Sequence, residues 1–118
     1  MPSIWRRSFD KAMKLRASIV ALAVLLMPLP PASAAPRTHS VVIDKMKFGA
    51  VPANLRIGDR IVWVNKDMFR HTATAKDKSF DVDLQPGASG TTIVRKAGAI
   101  SVVCRYHPGM RTMLKVKP

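Results

Sequence analysis

Residues 100–110 read Ile-Ser-Val-Val-Cys-Arg-Tyr-His-Pro-Gly-Met. Ile100 to Cys104 carries a strand signal, rich in β-branched residues. Pro108-Gly109 then supplies a sharp turn, and Arg111 to Val116 resumes a strand-like pattern. Cys104, the only cysteine of the chain, thus ends one strand, while His107 and Met110 follow it on the connecting loop. Two steps of three residues are short enough for a thiol, an imidazole and a thioether to converge on one point.

Outward from this loop the chain keeps the same texture. Ser40 to Phe48 (SVVIDKMKF) reads as one long strand, and Asn54 to Ile57 as a second extended piece after Pro52-Ala53. Gly58-Asp59 marks a turn. Arg60 to Asn65 (RIVWVN) is apolar on both faces, as expected of a central strand, with Ile61 and Trp63 on one side and Val62 and Val64 on the other. Lys66 to Arg70 is a polar loop. His71 to Ala75, Phe80 to Leu84 and Thr91 to Val94 follow as short strands, with Pro86-Gly87 and Gly90 bracketing a turn. No window shows a helical stripe. About eight short strands with turns every eight to twelve residues predict an all-β chain, a Greek-key antiparallel β-sandwich or barrel.

The first 34 residues have a different character. Arg6, Arg7, Lys11, Lys14 and Arg16 precede the apolar run Ala17 to Met27, then prolines 28, 30 and 31, then Ala32-Ser33-Ala34. This order predicts a secretory signal peptide (1–34) cleaved after Ala34, followed by a single domain over 35–118. As a helix the apolar run would rise only about 16 Å, too short to span a bilayer. Arg6-Arg7-Ser8-Phe9-Asp10-Lys11 resembles a twin-arginine signal, although Asp10 stands where that pattern prefers an apolar residue, and Met13 could begin an ordinary signal. The export route and the true start, Met1 or Met13, stay open.

Five of the 20 basic and one of the seven acidic residues lie in that segment, so the chain from Ala35 carries about +9 and has no Glu. The expected location is the periplasm. Export argues against nucleic acid as a partner, and the charge suits an acidic protein surface or anionic lipid. A lone cysteine in an oxidising compartment has no disulfide partner in its own chain, so it must be buried, paired between molecules, or liganded.

His71, after the Lys66–Arg70 loop, could arrive at the end of the sandwich that carries Cys104. One thiolate, two imidazoles and one weakly bound thioether form the ligand set of a blue-copper electron-transfer centre. Each residue alone has a blander reading: a buried thiol, a surface histidine, a turn, a core methionine. The joint spacing favours the metal site. His39, Met68 and Met113 are better read as a surface histidine, a loop residue and a strand residue.

At this point the chain resembles the cupredoxins. Cys104-x-x-His107-x-x-Met110, with Pro108 directly after the histidine, has the ligand spacing of the amicyanin group. Trp63-Val64-Asn65-Lys66-Asp67 followed by His71-Thr72-Ala73-Thr74-Ala75 is similar to that group, as is Met46-Lys47-Phe48 with Pro52, Leu55, Ile57, Gly58 and Asp59. The resemblance implies one copper per chain cycling between Cu(I) and Cu(II), held by His71, Cys104, His107 and Met110, with His107 as the electron exit. Many cupredoxins place an Asn after the upstream histidine to tie the two ligand loops together; Thr72 stands there in this chain. The family's docking rim is usually apolar, whereas here Arg70, Arg105, Tyr106, Pro108 and Arg111 surround the ligands, with Lys45 and Lys47 nearby. These residues suggest docking to an acidic redox protein: a c-type cytochrome, a quinoprotein dehydrogenase or an oxidase. No carboxylate pair, Ser-His pairing or phosphate loop points to an enzyme. The expectation is a monomeric electron carrier without a membrane span in its mature form. The alternative is a periplasmic copper-binding or delivery protein that uses the same ligands.

Overall fold

Trp63 sits at the centre of the structure. Its indole has no exposed surface and packs against the rings of Phe48 and Phe80, at centroid distances of 5.9 and 6.0 Å. Its buried Nε1–H donates to Thr92 Oγ1 at 3.1 Å, so the largest core side chain leaves no polar atom unpaired.

The computed structural model describes residues 21–30 and 34–118. The basic stretch from Arg6 to Arg16, the start of the apolar run and Ala32-Ser33 lie outside them. Residues 21–30 have no regular secondary structure and form part of a unit separate from the one beginning at Ser33. No helix among the described residues is long and apolar enough to cross a membrane.

Nine strands follow in chain order: β1 (Thr38–Asp44), β2 (Lys47–Phe48), β3 (Leu55–Arg56), β4 (Arg60–Asn65), β5 (His71–Ala75), β6 (Asp81–Leu84), β7 (Ser89–Ile93), β8 (Gly98–Val103) and β9 (Arg111–Lys117). They form a sheet ordered β2-β1-β4-β7 and a second ordered β3-β9-β8-β5-β6. The core between them is built from Val41, Ile43, Leu55, Ile61, Trp63, Ala73, Leu84, Val102 and Leu114, all without exposed surface. The all-β sandwich expected from the sequence is therefore present, with β4 in the interior of its sheet.

Three expectations need correction. Pairing is not wholly antiparallel, because β1 runs parallel to β4 and β3 parallel to β9. After the β1–β2 hairpin the chain visits the other sheet as β3 before returning as β4. Such a crossover is what permits a parallel neighbour. Second, Ser40 to Phe48 is not one strand. The chain reverses at Lys45-Met46, both with positive φ (51° and 61°), which are the dihedral signs of a two-residue type I′ hairpin turn. Carboxylates hold this costly conformation: Asp44 Oδ1 accepts the Lys45 N–H, and Asp67 Oδ2 accepts the Met46 N–H, each at 2.9 Å. Third, Gly90 is not a turn residue. It lies within β7, and a Cβ there would stand 2.4 Å from Val82 Cγ1, so its missing side chain lets the two sheets close.

Gly49 leaves the hairpin by donating its N–H to the Val42 carbonyl at 2.7 Å. A Cβ at this position would lie 2.6 Å from that same oxygen, and backbone cannot swing aside as a side chain can. Gly49→Ala is expected to lower unfolding free energy by about 2 kcal/mol, read as a shifted urea midpoint at unchanged m-value.

At the start of β4, Asp59 accepts the N–H groups of Arg37 (3.0 Å) and Arg56 (3.1 Å) and lies 3.1 Å from His39 Nε2. His39 is thus a half-buried partner of Asp59 rather than a free surface residue. The Arg37 amide, with His39 and the Arg56 amide behind it, outweighs burial and holds the Asp59 carboxyl below the usual carboxylate range. A lowered folded pKa means stability that is present above the unfolded value of about 3.9 and is lost as pH falls through the folded value. Asp59→Asn is expected to be less stable than wild type at pH 7, and less sensitive to acid below about pH 4. Parallel acid-unfolding profiles of the two proteins test this.

Candidate metal centre

Three connections meet at one end of the sandwich: the β1–β2 turn, the β4–β5 loop and the β8–β9 loop. Asn65 organises the second. Its fully buried carboxamide Nδ2 reaches the carbonyls of Phe69 (2.7 Å), Leu84 (3.0 Å) and Gln85 (3.3 Å), while Oδ1 accepts the Asp67 N–H at 2.9 Å. Two donor hydrogens shared among three carbonyls tie the loop to the end of β6. Asp67 is thereby placed to accept the Met46 N–H and, through the same oxygen, to lie 2.9 Å from His71 Nε2. The hydrogen bond from His71 is the largest cause holding the Asp67 carboxyl below the ordinary range.

This bond assigns the two ring nitrogens of His71. A carboxylate can only accept, so Nε2 carries the proton and Nδ1 presents a lone pair. That lone pair points at Cys104 Sγ (3.8 Å) and His107 Nδ1 (3.1 Å). His107 Nδ1 lies 3.4 Å from the same sulfur. One ligand atom from each of His71, Cys104 and His107 thus falls within 4.8 Å of the others, although 33 residues separate His71 from Cys104 in the sequence. His71 has no exposed surface, Cys104 is a buried free thiol, and His107 is half-exposed.

The ligand loop is held from both sides. The Cys104 N–H donates to the Met110 carbonyl and the Met110 N–H to the His107 carbonyl, both at 3.1 Å, which brings Met110 back beside Cys104 with a buried side chain. Thr72 links the two loops. Its Oγ1 accepts the Arg105 N–H at 2.9 Å, and its own N–H donates to Cys104 Sγ at 3.4 Å. The hydroxyl continues to Thr74 Oγ1 (2.9 Å), then Asp81 Oδ1 (2.7 Å), then back to Arg105 Nε (3.2 Å), closing a ring of hydrogen bonds beside the thiol. The Thr72 N–H aimed at the sulfur helps to fix its position in the pocket. Two imidazole lone pairs and one such sulfur, facing a common point in a buried pocket, suit a soft metal ion.

The residues expected to form the docking rim are only partly free. Arg70 pairs with Asp83 (Nε to Oδ1, 2.8 Å) and Arg105 with Asp81. Both guanidinium groups lie over the Tyr106 ring, 5.0 and 5.5 Å from its centroid, and the Tyr106 hydroxyl donates to Asp83 at 3.3 Å. Arg111 is exposed without an ion-pair partner among the described residues, and Pro108 is exposed beside His107. Asn65, Asp67, Asp81 and Asp83 were not singled out from the sequence as supporting residues; the polar run Asn65-Lys66-Asp67 four residues before His71 was the available signal.

No family model matches the chain, and no curated protein matches it in sequence. Solved structures do match its fold. A mutant of amicyanin in its reduced Cu(I) form at pH 4 superposes with a TM-score of 0.60 at 22% identity, over 68% of this chain and 82% of that one. An oxidised amicyanin mutant gives 0.59 at 20% identity, over 66% and 80%. A purple cupredoxin from Nitrosopumilus maritimus gives 0.56 at 15% identity, over 67% and 99%. The chain has the cupredoxin fold.

Thr72→Val leaves the part-buried Arg105 N–H without its acceptor. The metal-free variant is expected to lose about 1–2 kcal/mol of unfolding free energy, and Thr72→Ser to retain most of it. Urea unfolding of both variants distinguishes a hydrogen-bond role from simple packing.

Proposed function

We propose that this chain is an exported type 1 copper protein that shuttles single electrons between redox partners. The observation that carries the reading is the convergence of Cys104 Sγ with the Nδ1 atoms of His71 and His107 in a buried pocket of a cupredoxin sandwich. One copper per chain would be held by these three atoms, with Met110 as a weaker fourth ligand, and would supply a one-electron Cu(I)/Cu(II) couple. Thiolate suits Cu(I) and imidazole suits both oxidation states. Amicyanin mutants with Cu(I) among the structural neighbours support the choice of metal.

The chain's own contribution is to fix these donors in advance. Asp67 orients His71 and keeps its proton on Nε2. Thr72 binds both the sulfur and the backbone next to it. The backbone bonds within 104–110 return Met110 to the pocket. Four protein donors leave no position for substrate, which favours a carrier over an enzyme. His107 is the electron exit in this reading: it is the half-exposed imidazole, with Phe69 edge-on at 6.4 Å, whereas His71 is sealed inside. Residues 1–34 are removed on export, and 35–118 acts as a periplasmic monomer. Its partners belong to the acidic redox proteins, among them c-type cytochromes, quinoprotein dehydrogenases and oxidases.

Copper delivery is the second reading, and one feature favours it. A cleft of about 200 Å³ lined by Met46, Lys47, Phe48, Gly109, Met110 and Arg111 opens beside the thioether side of the pocket. A delivery protein would surrender Cu(I) to an acceptor chelator within minutes, whereas a carrier would keep it through repeated redox cycles.

Addition of Cu(II) to the purified protein is expected to produce an intense visible thiolate-to-copper band. Cys104→Ala should abolish it, and His71→Ala should abolish or strongly shift it. A wild-type protein with no band and a thiol still free to react would overturn the reading.

A further inference from the structure

The folded chain separates its charges in a way that the linear sequence hides. Asp81 and Asp83 lie together on β6 and are capped by Arg105 and Arg70. Asp59, Asp67 and Asp77 are engaged with His39, His71 and Lys96. The opposite edge of the same sheet carries cations without ion-pair partners among the described residues. Along β9, Arg111, Met113, Lys115 and Lys117 alternate outward and are exposed, while Leu114 and Val116 face the core. Arg56 of β3 is in register with Lys117 and is exposed beside it. Strand geometry sets the outward residues about 7 Å apart, so the row is about 20 Å long. Its middle is less polar: Met113 is exposed with Ser101 in register beside it, and half-buried Val103 lies next to Arg111.

Three strand spacings, about 14 Å, separate β9 from the aspartates of β6. That exceeds the Debye length of about 8 Å at physiological ionic strength, so the aspartates scarcely weaken the field over β9. Arg70 and Arg105, which lie over Tyr106 of the ligand loop, are by contrast offset by carboxylates in direct contact.

We propose that the outer face of β9, with Arg111, Lys115 and Lys117 around Met113 and Arg56 beside them, is the surface on which an acidic protein partner docks. This rests on the electron-carrier reading for its purpose, but not for its location. The row begins at the residue following Met110, so a partner lying along it meets the ligand loop at one end. A flat face with an apolar centre and a charged rim has the layout of a protein–protein patch. No apolar side chain longer than Met113 projects from it to enter a lipid layer.

The test is a binding titration of isotope-labelled protein, with and without Cu(I), using poly-L-glutamate as the acidic polypeptide and phosphatidylglycerol vesicles as the lipid control. Amide shifts are expected to concentrate in 55–56, 98–103 and 111–117. Lys115→Glu with Lys117→Glu should weaken poly-L-glutamate binding roughly tenfold, while Arg60→Glu with Lys66→Glu, the same charge change at the start of β4 and just past its end, should stay within about twofold. The spectra report directly that each variant is folded, and Lys115→Gln with Lys117→Gln serves as the milder pair. Shifts scattered over all basic residues, equal weakening by both double variants, or binding to vesicles without binding to poly-L-glutamate would each overturn the proposal. The metal-free series keeps its meaning even if no blue band forms, so failure of the copper reading and failure of the docking surface are separable.

Discussion

A single buried amide holds this end of the molecule in place. Asn65 is the last residue of β4, and its side chain reaches three carbonyls and one N–H of two different loops. Inside a protein such bonds are stronger than in water, and their loss is correspondingly costly. Everything nearer the pocket depends on them. The Asn65 bond sets Asp67, Asp67 sets the tautomer of His71, and the same carboxylate stabilises the left-handed turn at Met46. One polar side chain in an apolar sheet thus fixes both the β1–β2 turn and the innermost imidazole.

The two imidazoles are consequently unequal. His71 is sealed, with both nitrogens committed, one to Asp67 and one to the pocket. His107 belongs to a loop closed by its own backbone, whose Tyr106 ring lies against the guanidinium groups of Arg70 and Arg105. A pocket with one internal and one outward nitrogen has a defined direction: exchange with the exterior passes through His107, and rigidity comes from the His71 side.

Much of this could be read from residues alone, and the exceptions have physical causes. Arg60–Asn65 and His71–Ala75 form strands with the bounds that their apolar and β-branched runs suggested. The Cys104, His107 and Met110 spacing placed the loop correctly because a strand, a turn and a return strand are all local signals. The Lys45-Met46 reversal was not legible, since a rough alternation runs through it with no Gly, Pro or Asn, and one of the two carboxylates supporting it, Asp67, lies 21 residues from Met46. Gly90 resembled a turn marker because the sequence cannot distinguish a glycine needed for φ from one needed for space. The pairing of Arg70 with Asp83 and of Arg105 with Asp81 depends on β5–β6 register, which nothing near those arginines announces.

The two parallel pairings have a consequence for how the chain reaches this structure. Leu55 pairs with Val116 across a separation of 61 residues, and Thr38 with Arg60 across 22. Neither ladder can be nucleated by a hairpin, so each must await closure of a long loop whose entropy is lost before any contact rewards it. The strands that bring His71 and Cys104 together, β5 and β8, likewise meet over a long separation. Assembly of this sandwich is therefore slow relative to a helical domain of equal length. His107 lies three residues from Cys104 on one loop, but His71 reaches the thiol only once β5 and β8 have paired, so a chain without β8 in place would present its thiol to the surroundings rather than to the innermost imidazole.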